Sequence, residues 1–371
     1  MARARFVHTA DLHLGRPLGF LPPQLANERR RDQRRALAKI VDTALERGAD
    51  MLLVAGDLFD SPDPDPTDVE AVMVEFTRFT DAGRLIFAIP GNHDYARPNG
   101  IWQRLSSSKV HVFMDTSWDT VLLEDMGVAV CGTAFERGGS GRRAFDGFHT
   151  PDLPCIALVH ASLEHFQGQM NGYHPFSAGD LEAAGVNYAA LGHYHSCQPI
   201  ETGSALYAGC YPGTPEGISF DSPELGDRFA IYGEVEDDGS VTTLPLKTNT
   251  RTMLSADIDC TSFDTQGSLF DAVRKYCQAN NLVHLKLSGM PAGDVASVLE
   301  ELSERFKESC HYISIDTSGI LASSDIAEGD LTIRGRFSRH MKKTIEEAAD
   351  PEAKRLLARA LELGIAAFRE E

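Results

Sequence analysis

Five short segments carry side chains of the types that bind divalent metal ions. They are Asp11-Leu-His13, Gly56-Asp57-Leu-Phe-Asp60, Gly91-Asn92-His93-Asp94, His160 and Gly192-His193-Tyr-His195. Neutral imidazoles with carboxylate and amide oxygens suit Mn²⁺, Fe²⁺ or Zn²⁺, and the lack of thiolates in the set argues against a structural zinc. In Asp11-Leu-His13 and His193-Tyr-His195 the spacing of two would let both side chains leave an extended backbone on one face. Glycines before Asp57, Asn92 and His193 permit tight turns that bring ligands close to an ion. Each piece is weak alone: Asp-x-His recurs by chance, and a lone His160 reads as a satisfied core histidine. The conjunction, in this order, is the signal.

Each segment follows an apolar run that reads as a strand: Arg5 to Ala10, Met51 to Ala55, Leu85 to Ile89, Cys155 to Val159 and Tyr188 to Leu191. Loops at the carboxyl ends of strands are where α/β folds place ligands, so five such ends can converge on one point. Between them lie helical patterns. Ala36, Leu37, Ile40, Val41, Ala44 and Leu45 share one face, with Gly48 as a stop. Thr67 with Glu70 resembles a capping box, opening a helix that turns Val69, Val72, Met73, Phe76 and Phe79 inward. Val121–Leu123 and Val128–Cys131 around Met126-Gly127 suggest a hairpin. Phe229 to Val235 and Val241 to Lys247 look like a β-rich closing section of the first domain.

From about residue 254 the pattern is strand, helix (Leu269 to Ala279), strand (Leu282 to Leu287), helix (Val295 to Phe306), strand (Tyr312 to Ile315). That is a small second domain. Asp350 before Pro351 then opens a helix with Leu356, Leu357, Ala360, Leu361, Ala367 and Phe368 at helical spacing. The expected domains are therefore 1–253, 254–330 and a helical tail, 331–371.

With 54 acidic and 35 basic residues the net charge is −19, which argues against non-specific nucleic-acid binding through net charge alone. It does not exclude DNA as a substrate, because two divalent ions bring about four positive charges to the site. Basic residues do cluster, at Arg29, Arg30, Arg31, Arg34, Arg35 and Lys39 and around Arg137, Arg142 and Arg143. Such runs read first as solvated faces. Seven cysteines without a C-x-x-C pair, no signal-type apolar stretch and no membrane-length run lead to the expectation of a soluble, cytoplasmic protein.

The ordered metal-type segments resemble the calcineurin-like metallophosphoesterase superfamily over roughly residues 5 to 200. Phe-Val-His-Thr-Ala-Asp-Leu-His-Leu-Gly and Tyr-Pro-Gly-Thr-Pro from Tyr211 look like the SbcD-type DNA repair nucleases. The resemblance implies an α/β fold, a four-layer sandwich of two β-sheets flanked by helices, here with a small α+β cap domain and a helical C-terminal tail. It implies two divalent metals, manganese being usual. One would be held by Asp11, His13, Asp57 and His195, the second by Asp57, Asn92, His160 and His193, with Asp57 shared. Such a pair, about 3.5–4 Å apart, makes a water more acidic and polarises phosphate for in-line attack. His93 would then protonate the leaving oxygen or neutralise the transition state, with Asp60 at the position that orients the equivalent histidine in phosphoprotein phosphatases. Several relatives of SbcD carry His at that position. Asp94 reads as a structural hydrogen-bonding residue.

The activity implied is a metal-dependent DNA exo/endonuclease in repair, working with an SbcC-type coiled-coil ATPase and as a homodimer. The tail from Arg339 to Phe368 is the place for the ATPase contact. No P-loop motif is present, so nucleotide binding would come through that partner. The alternative is a phosphatase or small-molecule phosphodiesterase, although Ser-Pro-Asp after Asp60 lacks the Arg-Gly of phosphoprotein phosphatases. A non-catalytic scaffold is the third reading. His8 within the first strand reads as a core residue, and His174 in its Gly-Tyr-His-Pro loop as either structural or substrate-facing.

Overall fold

The computed structural model describes residues 4–107, 109–135, 142–164, 173–203, 208–291, 293–320 and 331–367. Arg137, Phe368 and the end of the expected cap, 321–330, lie outside them. By contact density the chain divides into two units, Met1–Ser219 with Gly226–Thr250, and Phe220–Leu225 with Arg251–Glu371.

The first unit begins with strand β1 (Ala4–Thr9), helix α1 (Pro23–Glu46), β2 (Met51–Ala55), α2 (Pro66–Asp81), β3 (Leu85–Ile89), α3 (Ile101–Leu105) and β4 (Val110–Val112). It continues with β5 (Asp119–Leu123), β6 (Val128–Gly132), β7 (Cys155–His160), α4 (Ala178–Ala184), β8 (Tyr188–Gly192), β9 (Gln198–Ile200), β10 (Ala208–Tyr211), β11 (Phe229–Val235) and β12 (Val241–Lys247). One sheet has the order β12-β11-β1-β2-β3-β4 and the other β5-β6-β7-β8-β10-β9. Strands β1 to β4 run parallel, as do β6, β7, β8 and β10, while β5, β9, β11 and β12 pair antiparallel at the edges. The hairpin of β5 and β6 and the strands β11 and β12 fall where the sequence placed them.

Strand alternation produces the layers. Val7, Leu52, Val54, Ile86 and Ala88 face the helices and pack with Leu37, Ile40, Val72, Phe76 and Trp102. Phe6, Met51, Leu53 and Phe87 face the other way and pack against Val130, Ile156, Leu158 and Tyr188 of the second sheet. The second sheet's far face buries Ala157, Val159, Ala189 and Leu191 with Leu181 of α4. Strands apolar on both faces, such as Met-Leu-Leu-Val-Ala in β2, are what a sheet covered twice requires. The architecture is two mixed sheets flanked by helices, a four-layer α/β sandwich.

Several local expectations change. Asp65, not Thr67, caps α2: its carboxylate accepts from the Thr67 N–H at 2.8 Å, and Pro66 takes the first-turn position where no N–H is needed. Met73 lies at the edge of the apolar face and is 46% exposed. Helix α1 starts at Pro23, well before its apolar stripe becomes legible.

The second unit holds a parallel sheet, β13 (Thr252–Asp259), β14 (Asn281–Gly289) and β15 (Tyr312–Ile320), in that order. Its helices are α5 (Gln266–Arg274), α6 (Gly293–Ala296), α7 (Leu302–Phe306), α8 (Ile333–Glu347) and α9 (Pro351–Ala367). The helix expected over Leu269 to Ala279 begins earlier, where Thr265 caps Ser268, and stops at Arg274. The one expected over Val295 to Phe306 is two short pieces, α6 and α7, with Val295, Leu299, Leu302 and Phe306 in the core and Val298 packed against it. Asp350 caps α9 as expected, accepting from Glu352 and Ala353. Leu361 and Ala358 pack with Ile345, Phe337 and Met341 of α8, whereas Leu356 is 73% exposed.

Candidate metal centre

The five segments do lie at carboxyl ends of parallel strands. Three come from the first sheet (β1, β2, β3) and two from the second (β7, β8), so the two sheets meet at one acidic, histidine-rich edge. The spacing-of-two pairs are not extended, however. Asp11, His13 and Asp57 have φ of 52°, 46° and 50°, and His193 has 109°. Left-handed backbone at residues with a Cβ costs on the order of 1–3 kcal/mol each and persists only where surroundings impose it. Here a loop ladder imposes it: Asp11 N–H donates to Gly56 O, His13 N–H to Asp57 O and Leu14 N–H to Leu58 O at 3.0–3.1 Å. From α1, Gln33 Nε2 donates to the carbonyls of Leu12 and His13, both at 3.2 Å.

The backbone turn splits His193 from His195, while Asp11 and His13 stay together. His195 approaches His13, with Nε2 atoms 3.2 Å apart, while His193 Nδ1 lies 3.3 Å from Asn92 Oδ1. His160 Nε2 is 2.8 Å from the same Asn92 oxygen and 3.4 Å from Asp57 Oδ2. Asp57 also stands 3.7 Å from His13 Nε2, so it borders both sides. Ligand atoms of Asp11, His13 and His195 lie within 4.8 Å of one another, as do those of Asp11, Asp57 and His160, and of His13, Asp57 and His93.

Close approach makes this possible. Gly56 has φ +89°, and a Cβ there would sit 2.4 Å from His160 Nδ1. At Gly192 a Cβ would sit 1.9 Å from Ala55 O.

The donor chemistry fits cations. The carboxylate of Asp60 accepts, so the His13 Nδ1 at 3.1 Å carries the hydrogen and a neutral His13 presents an Nε2 lone pair to His195. Ala55 O likewise takes the hydrogen of His160 Nδ1 at 2.9 Å, aiming the Nε2 lone pair at the oxygens of Asn92 and Asp57. Lone pairs facing lone pairs call for a proton or a metal between them, and the outer hydrogen bonds are those that orient metal-binding histidines.

Electrostatics follow. Burial would depress His160, but the Asp57 carboxylate outweighs it and raises the pKa to about 9. For His13 burial is likewise outweighed, by the Asp60 hydrogen bond and by Asp57 and Asp11, and the net direction is up. Burial pushes Asp57 up, yet His160 and His13 hold it well below the usual carboxylate range. Burial raises Asp11 to about 6 against the pull of His160 and His195. Burial, then His160, lowers His193 to about 3.

His93 stands at the mouth, its side chain 38% exposed and its N–H donating to Asp57 Oδ1 at 2.8 Å. Burial, followed by the nearby His13, lowers its pKa against the pull of Asp57. The sequence assigned Asp60 to orient it. The Asp60 carboxylate lies 3.6 Å from His93 Nδ1 and also serves His13 and the Arg16 guanidinium, at 3.1 and 3.0 Å. The reason is geometric: the ladder between the two loops brings the Asp60 N–H to Leu14 O at 3.0 Å, beside His13. Asp94 is structural, as expected: it accepts from Gly91 and Phe59 N–H groups at 2.8 and 3.1 Å and is fully buried.

Other readings resolve against exposure. Arg29 is buried, pairing with Asp32 and Glu216 at 3.1 and 2.6 Å, and Arg34 pairs with Asp68 at 2.6 Å. The basic run is thus partly an internal ion network, not simply a solvated face. His174 is buried and stacked on Phe135 with centroids 4.9 Å apart. His8 donates or accepts at Tyr188 OH, 3.0 Å away, across the inter-sheet core.

Sequence reasoning gave no structural role to several residues that act at long range. Arg228 is buried and donates to His195 O and, at 2.9 Å, to Thr214 O. Tyr211 OH donates to Ala161 O at 2.7 Å, fixing the turn after His160. Tyr173, half exposed, meets His193 edge-on at 5.6 Å. No local spacing announces contacts separated by tens of residues in the chain.

Comparison with known proteins agrees with this geometry. The profile of the calcineurin-like phosphoesterase family matches residues 4–197, more than half of the chain. The chain belongs to that family. Calcineurin-like phosphoesterases use a dinuclear metal site, and the candidate ligands above are in place for one. The chain is 27% identical over 232 residues to the uncharacterized metallophosphoesterase YhaO of Bacillus subtilis, covering 60% of this chain and 55% of that protein. It is 28% identical over 290 residues to the DNA double-strand break repair protein Mre11 of Aeropyrum pernix, covering 73% of this chain and 66% of that one. A Mre11 protein of Methanocaldococcus jannaschii is 24% identical over 208 residues, 55% of each chain. The chain thus spans between about half and two thirds of the length of these relatives. No helix among the described residues is long and apolar enough to cross a membrane.

Proposed function

We propose that this calcineurin-like phosphoesterase is a metal-dependent DNA exo/endonuclease of DNA repair, SbcD-like. The observation that carries the reading is the convergence of Asp11, His13, Asp57, Asn92, His160, His193 and His195 on one edge, with a half-exposed His93 beside them. Relatives described as DNA double-strand break repair proteins support the choice of substrate.

In this reading Asp11, His13, Asp57 and His195 hold one divalent ion, and Asp57, Asn92, His160 and His193 the other. Manganese is the proposed metal, and iron or zinc suits the same donors. The ions supply Lewis acidity, which makes phosphorus more electrophilic and a water more acidic. The chain's own work is to place the diester and move protons. His93 protonates the leaving oxygen or neutralises charge in the transition state, with Asp60 as the residue that orients it. A coiled-coil ATPase of the SbcC type and a second copy of this chain are the proposed partners. The proposed division keeps 1–253 as the nuclease domain, 254–330 as a cap and 331–371 as a tail, where exposed Leu356 and Leu363 support a partner contact. The cytoplasm is the proposed location.

Purified protein with Mn²⁺ and labelled duplex and hairpin DNA, with and without the ATPase, tests the proposal. Cleavage is expected; none under either condition overturns it. The second reading, a phosphatase or small-molecule phosphodiesterase, is favoured by the charge of −19 and by the internal pairing of Arg29 and Arg34. Turnover on phosphopeptides and cyclic nucleotides but not on DNA would establish it instead.

A further inference from the structure

We propose that Arg16 binds the phosphate next to the scissile one, and so makes this site favour substrates with more than one phosphate. The inference rests on the nuclease reading above.

Arg16 sits on the loop that follows His13. Its Nη1 donates to Asp60 Oδ1 at 3.0 Å, the oxygen that also faces His13 Nδ1 and His93 Nδ1. The side chain is 36% exposed, and among the described residues its Nε and Nη2 have no protein acceptor. One edge of the guanidinium is therefore anchored and the other edge is open.

A planar fork with two donors free matches two phosphate oxygens, and anchoring removes much of the rotamer entropy that binding would otherwise cost. The loop is built to hold it. Arg16 N–H donates to His13 O at 3.1 Å, and Pro17 O accepts from Arg30 Nη1 at 3.0 Å. Leu14 bridges to Phe59, and Leu18 is buried.

Charge makes Arg16 distinctive. The centre contributes the carboxylates of Asp11, Asp57, Asp60 and Asp94, and Arg16 pairs with Asp60 at 3.0 Å. Arg34 is taken by Asp68, Arg97 by Asp63 and Pro62 O, and Arg228 by the backbone of His195. Asp60 stands between the guanidinium and the histidines, so Arg16 is one side chain removed from the reacting phosphorus. That offset selects a neighbouring phosphate.

The test compares Arg16→Gln and Arg16→Lys with the unmodified full-length chain, all loaded with Mn²⁺. The substrates are an oligothymidylate and bis(p-nitrophenyl) phosphate, which has a single phosphorus. Loss of one charge-assisted contact should raise KM on the oligonucleotide about tenfold, with kcat within about twofold. KM on the small diester should move far less. The salt dependence of oligonucleotide binding should fall by about 0.7 in log–log slope. Arg16→Lys should recover part of the affinity, and metal content by elemental analysis should stay at the unmodified level.

Equal losses on both substrates, or lost metal, would reduce Arg16 to a clamp on Asp60 and overturn the assignment. So would an unchanged KM on the oligonucleotide. If the unmodified chain cleaves the small diester but not the oligonucleotide, the nuclease reading fails first and this assignment falls with it.

Discussion

His13 and His195 hold their Nε2 atoms 3.2 Å apart although 182 positions separate them in the chain. With the His13 Nδ1 hydrogen committed to Asp60, its Nε2 lone pair is left to accept a hydrogen from His195 or to share a metal with it. His160, at a pKa of about 9, tells the same story on the other side. Near neutral pH the metal-free centre holds protons that metal must displace, so metal affinity should rise as pH climbs toward 9. Mn²⁺ titrated calorimetrically at pH 7 in buffers of different ionisation enthalpy should report proton release, and loading should raise Tm. A heat independent of the buffer would contradict the assignment of these histidines.

His93 lies close enough to touch substrate yet stays outside both proposed ligand sets. His93→Leu should lower kcat by about 10²–10⁴-fold while metal stoichiometry is retained. Activity assays paired with elemental analysis separate the two effects. Unaltered turnover would remove His93 from the mechanism.

Gly192 is a packing requirement. A Cβ there would overlap the Ala55 carbonyl, which also orients His160. Gly192→Ala should destabilise by about 3 kcal/mol or more and disturb metal binding. Gly19→Ala, with open space around it, is the control expected to leave Tm within a few degrees. Thermal unfolding of both variants checks the contrast.

Arg29 and Arg35 should part company despite their shared sequence neighbourhood. Arg29 is 1% exposed in its network with Asp32 and Glu216, and removing one partner from a buried set costs about 3–5 kcal/mol. Arg35, 67% exposed, should cost under about 1 kcal/mol. Denaturant unfolding of Arg29→Met and Arg35→Met tests this; equal effects would show that the buried network contributes nothing special.

His8 supplies a pH prediction away from the ligands. Burial lowers its pKa from 6.5 to about 3, so between those values the unfolded chain binds the extra proton. Stability should therefore be full above pH 6.5 and decline as pH falls toward 3. His8→Gln should flatten that part of the Tm–pH curve. A slope identical to that of the unmodified protein would assign acid sensitivity elsewhere.

The amino-acid sequence by itself determined the strands that carry the candidate site, the α/β class of the fold and the candidate donors, because those depend on local patterns. Apolar runs such as Met51 to Ala55 report burial directly, and hard donors behind glycines report loops that approach an ion. Tertiary structure decided what depends on distance. It divided His193 from His195 by a left-handed turn, gave Asp60 to His13 and Arg16, and closed Arg29 into an ion network with a glutamate 187 residues away. Spacing within a segment says which side chains can point together, but which charges neutralise one another is settled only when the sheets stack and exclude water.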